Sequence, residues 1–187
     1  MHKKSAWATI TTILLPYLVL FALALIFLSG DIRIFEWIME YVFWGNGLLL
    51  IAVLLLYCVF VGILNVTCLL SHMRQRKDAL LLAKTAVKIK LLQIPAYILI
   101  FILGVVMIIT IFTIPFSIGL FLFDCVCLCM SGLWTVCAAV QAMRQGICKP
   151  QEAFFFIALQ FIFCVDVVSS IVFYILLKKR RQINAEA

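Results

Sequence analysis

Two carboxylates lie inside long apolar runs of this chain, where an ionisable group is expensive to keep and functional by default. Asp166 stands in LQFIFCVDVVSS, with Ser169 and Ser170 at i+3 and i+4 on its helical face and Gln160 about one and a half turns earlier. Asp124 stands in LFLFDCVCLC, near enough to the end of its run to meet water. The chemistry such a constellation offers is a proton- or cation-coupling site, or a polar contact to a substrate. The competing reading is an interhelical hydrogen bond that fixes bundle packing.

Cysteine is the other reactive type. Cys58, Cys68, Cys125, Cys127, Cys129, Cys137 and Cys164 fall in apolar runs, and Cys148 falls in a polar loop. Cys125, Cys127 and Cys129 form C-x-C-x-C, but on a helix the first and last share a face while the middle one points nearly opposite. Three thiols so placed cannot ligate one ion. The histidines, His2 and His72, are far from them, so no metal or other cofactor is expected. The cysteines read as small packing residues. The sequence has no phosphate-binding glycine loop, nucleophile elbow or paired-histidine zinc motif. An intramembrane enzyme using a thiol or a carboxyl group is the alternative to a non-enzymatic role.

A third set of side chains is basic. In HMRQRKDALLLAKTAVKIKLLQIP, residues 72–95, Lys77, Lys84 and Lys88 align on a helical wheel with Arg74, Asp78 and Thr85 beside them. Lys90 departs from that line. The pattern predicts an amphipathic helix over 72–93 at the cytoplasmic face, with Arg74, Lys77, Lys84 and Lys88 toward anionic headgroups.

The elements that hold these groups follow from composition. Hydrophobic residues make up 67% of the 187, far above the roughly 45–50% of a soluble domain, and only a polytopic membrane protein can hide them. The net charge of +7 would suggest nucleic acid in a soluble protein. Here the cations end apolar runs, which suits headgroups and insertion topology instead.

Five spans are expected, at about 8–28, 47–70, 94–112, 118–142 and 154–177, in one all-α integral membrane bundle with interfacial amphipathic helices. The first begins after charged residues like a signal peptide, but it is too long and lacks a small-residue cleavage site. Residues 29–46 predict a short acidic amphipathic helix anchored by Trp37, Tyr41 and Trp44. Pro115 and Gly119 mark the reversal between the third and fourth spans. The positive-inside rule places the N-terminus, residues 72–90 and residues 144–149 inside. Five crossings then leave Lys178, Lys179, Arg180 and Arg181 outside, which that rule disfavours. Either the tail is external, or one segment does not cross.

Two stretches, KLLQIPAYILIFILG (90–104) and LQFIFCVDVVSS (159–170), resemble a family of small bacterial membrane proteins known only as a domain of unknown function. The resemblance implies a bacterial plasma membrane and supplies no activity. The expectation is a non-enzymatic membrane protein, transport-related or an accessory subunit. Its partners would be membrane lipids and either copies of itself or a larger complex.

Overall fold

The computed structural model of the chain describes residues 3–109, 114–162 and 164–186, without the side chains at 3, 4 and 184–186. Its elements are all helical. In order they are α1 (Lys3–Leu28), α2 (Arg33–Phe43), α3 (Gly47–Arg74), α4 (Ala79–Ile109), α5 (Ile114–Arg144), α6 (Pro150–Ala158), a 3₁₀ turn (Leu159–Phe161) and α7 (Val165–Glu186). Helix is the form that satisfies every backbone group of an apolar run from within, and Pro16 in α1 and Pro95 in α4 end neither helix. The Thr12 carbonyl, which Pro16 leaves without its amide donor, accepts instead from Gln93 Nε2 at 2.7 Å. Among the described residues, four helices are long and apolar enough to cross a membrane: α1, α3, α4 and α5.

Local signals set the boundaries. The Asn46 side chain accepts from the Leu48 amide at 2.9 Å and starts α3. Asp78 does the same for the Leu80 amide at 3.1 Å and starts α4. The stretch 72–93 is therefore not a separate surface helix. It divides into the last turn of α3, a tight turn, and the first half of α4, which continues unbroken through Pro95. Pro115 lies in the first turn of α5 and Gly119 within that helix, so neither marks the reversal as expected; residues 110–113, between α4 and α5, lie outside the described residues. The acidic connector forms α2 as expected. It buries no residue completely, and Phe35, Ile38 and Met39 lean on the apolar cluster around Ala22, Leu25 and Leu50.

The stretch 154–177, expected as one span, is not one helix. It enters as α6, breaks between Ala158 and Val165, and returns as α7 beside it, with the Phe156 and Phe173 rings 4.9 Å apart. The two open ends of this hairpin are clasped. Arg180 on α7 holds Glu152 on α6 through Nη1–Oε2 at 2.6 Å and Nη2–Oε1 at 3.0 Å. Arg181 pairs with Asp78 at the start of α4. The basic tail thus lies at the same end of the bundle as the α3–α4 turn and the α5–α6 loop, which Gln145 joins by donating to the Lys77 carbonyl at 3.0 Å.

The largest apolar cluster also lies toward this end. Its alanines, Ala83 and Ala86 on α4 with Ala138, Ala139 and Ala142 on α5, let the helices approach closely.

Candidate functional site

The break between α6 and α7 converges on Lys90. Its side chain is fully buried, and its ammonium donates to Asp166 Oδ2 at 2.7 Å, Gln160 Oε1 at 2.6 Å and the Asp166 carbonyl at 3.3 Å. Three oxygens around one ammonium make a compact cage.

The break is what makes that cage possible. On a continuous helix, residues 160 and 166 would stand about 9 Å apart along the axis and on different faces, beyond the reach of one ammonium. Interrupting the helix brings both side chains to the same point. It also sets Asp166 in the first turn of α7, where the exposed amides favour a carboxylate. Cys164 bears part of the turn, with a left-handed φ of 66°.

The rest of the cage is tied to its surroundings. Gln160 Nε2 donates to Ser169 Oγ at 2.9 Å and to the Phe156 carbonyl at 3.2 Å. The Ser170 hydroxyl lies 3.1 Å from Gln160 Oε1 and 2.8 Å from the Asp166 carbonyl, either of which can accept from it. Ser169 Oγ donates to the same carbonyl at 3.0 Å. Thr135 of α5 stands 3.1 Å from Ser170 and joins the hairpin to the bundle. All of these side chains are buried. A pocket of about 310 Å³ lies against Asp166, between Ile94, Ile98 and Phe101 of α4 and Val167 of α7.

Four of the five expected polar residues, Asp166, Gln160, Ser169 and Ser170, therefore meet in one place. Asp124 does not join them. It is half-buried on α5, and its Oδ1 has no hydrogen-bond partner among the described residues. Of the expected headgroup residues, Arg74, Lys84 and Lys88 are exposed and Lys77 is half-buried.

Sequence reasoning missed Lys90 as the partner of Asp166, although the signal was there. Two residues beyond Lys88 on a helix means the nearly opposite face, so a lysine off the basic line had to point inward. It also missed a second buried polar cluster. Asn65 Nδ2 donates to Thr12 Oγ1 at 2.8 Å, Trp134 Nε1 donates to Asn65 Oδ1 at 2.7 Å, and Gln93 Nε2 donates to the Thr12 carbonyl at 2.7 Å. This cluster joins α1, α3, α4 and α5 and holds the frame on which Lys90 is mounted.

The thiols show no comparable gathering. All eight are free, with Cys125 and Cys129 exposed and Cys127 between them buried. Cys148 sits 3.4 Å from Glu152 Oε2 in the α5–α6 loop. Burial and then the bond to Glu152 push its thiol above the usual range, opposite to what a nucleophile requires. Glu152 itself is held at about 2 by the Arg180 guanidinium.

The chain matches no family model, no curated protein and no solved structure.

Proposed function

We propose that this is a non-enzymatic, transport-related integral membrane protein whose working part is the α6–α7 hairpin, latched to α4 by Lys90 and Asp166. Four helices cross the bilayer, and the hairpin dips into one leaflet and leaves on the side it came from. We place it in the plasma membrane, and its basic end is then cytoplasmic, because that orientation puts every strongly basic segment on one side. The same side turns Arg74, Lys84 and Lys88 toward anionic headgroups.

One observation carries the reading: the buried Lys90 ammonium holds Gln160 and Asp166, which stand on the two sides of a break in an apolar helical stretch. Broken helices at that depth are tolerated where protein or a cavity satisfies the loose backbone, and transporters bind ions at such breaks. In the cage Lys90 acts as a tethered monovalent cation. A proton, or a free monovalent cation among the same oxygens, would replace it and release the hairpin from α4. Binding and hairpin position are then coupled, which is the minimum a coupled carrier needs.

The test is amide protection over residues 159–170 in lipid nanodiscs, read as hydrogen exchange relative to the intrinsic rate at each pH and sodium concentration. Wild-type protection should fall as protons or sodium displace Lys90. Asp166→Asn, which keeps the shape but cannot ionise, should flatten that response. A wild-type profile indifferent to both would refute coupling. That result would favour an accessory subunit held rigid by the pair, a reading supported by the closure of the network around it.

A further inference from the structure

A second feature lies on the other side of the bundle. Between α1 and α3 a groove of about 920 Å³ opens at the basic end. Its lining changes character along its length. Ser5, Ser71, His72, Gln75 and Lys77 surround the end nearest the α3–α4 turn, and Trp7, Phe60 and Leu64 line the part that runs inward. From Gln75 to Phe60 is about 22 Å along a helix, close to one bilayer leaflet with its headgroup. A recess of about 270 Å³ continues from the polar end toward Thr85 and Trp134, sharing Ser5, His72 and Lys77 with the groove.

The polar end carries an uncommitted positive charge. Lys77 forms no ion pair among the described residues, and its neighbour Asp78 is taken by Arg181. An ammonium surrounded by hydroxyl and amide groups, above an apolar trough of leaflet length, is complementary to one molecular class. We propose that this groove binds a single anionic phospholipid of the leaflet at the basic end. Its phosphate sits at Lys77 with Ser71 and Gln75, and one acyl chain lies along Leu64 and Phe60. This is a discrete site, beyond the diffuse attraction of exposed lysines for a charged surface, and it does not depend on the hairpin latch.

The test is native mass spectrometry of the whole protein released from nanodiscs of phosphatidylglycerol and phosphatidylcholine mixed equally. The expected result is one retained lipid per chain, with phosphatidylglycerol preferred. Lys77→Gln should reduce that preference about five-fold, the effect of one surface charge. Thr67→Trp, which fills the middle of the groove from an exposed position, should remove the retained lipid while the protein stays folded by circular dichroism. Retention without headgroup preference, or retention unchanged in both variants, would overturn the proposal. So would competition by millimolar inorganic phosphate, because it would mean that the site reads phosphate without the acyl chain.

Discussion

Removing one half of the buried pair should cost far more than removing both. Lys90→Met leaves the Asp166 carboxylate without the ammonium that neutralises it, in a site where lysine is fully buried and aspartate is 3% exposed. Breaking a buried pair from one side costs about 3–5 kcal/mol, because a charge is left stranded. Asp166→Leu strands the ammonium instead and should fall in the same range. The double variant Lys90→Met/Asp166→Leu strands no charge, and the serine hydroxyls still reach Gln160 Oε1 and the carbonyl of residue 166, so it should lie within about 1 kcal/mol of wild type or above it. The singles then sum to well over the double, with a coupling of about 3 kcal/mol or more. Reversible unfolding in mixed micelles, followed by helical circular dichroism, gives all four corners of the cycle. Arg181→Gln serves as control, since its pair with Asp78 is exposed and should contribute less than about 1 kcal/mol. Single variants that each cost under about 1 kcal/mol and add without coupling would refute the latch.

Other perturbations read different parts of the molecule. Glu152 is depressed from 4.5 to about 2 by Arg180, so its contribution is complete above pH 4.5 and is lost as pH falls through 2. Amide protection at 178–183, taken relative to the intrinsic rate at each pH, should therefore fall below pH 4.5 in wild type, and Glu152→Gln should remove that pH step. Asn65→Leu leaves the Trp134 indole N–H without its buried acceptor and should cost about 1–3 kcal/mol in the same micelle assay; a neutral result would contradict the network. Cys164→Gly should stabilise by about 1 kcal/mol, because a non-glycine residue with φ of 66° bears strain that glycine does not. A loss of stability there would mean that the side chain contributes more than the strain costs.

How much of this was legible in the sequence depends on which residues carried it. The apolar runs announced α1, α3, α4 and α5, because lipid demands length and composition and little else. The interfacial helix α2 was legible from its aromatic and acidic periodicity. The hairpin was not. Residues 158–165 contain neither glycine nor proline, and an unbroken apolar run reads as one span unless its partners are known. What breaks it is a lysine about seventy residues away in sequence that needs two acceptors at one point, and such a cause is visible only in three dimensions. The mismatch between five crossings and the basic tail pointed at the same segment, and the pairs of Arg180 with Glu152 and Arg181 with Asp78 set the tail at the end of the bundle that holds the α3–α4 turn. Asp166, Gln160, Ser169 and Ser170 were found because polarity in an apolar run is conspicuous. Thr12, Gln93 and Trp134 were passed over because each alone is unremarkable in a membrane helix.

The sidedness of the tail tests the central claim most directly. Single cysteines introduced as Gln75→Cys, Asp31→Cys and Lys179→Cys, in a background without the native thiols, would be labelled in sealed vesicles by an impermeant maleimide. All three sites are exposed. A hairpin that returns to its own side predicts that positions 75 and 179 label together and position 31 from the opposite face. Labelling of position 179 together with position 31 would mean that the last segment crosses the membrane, and the hairpin account would fall with it.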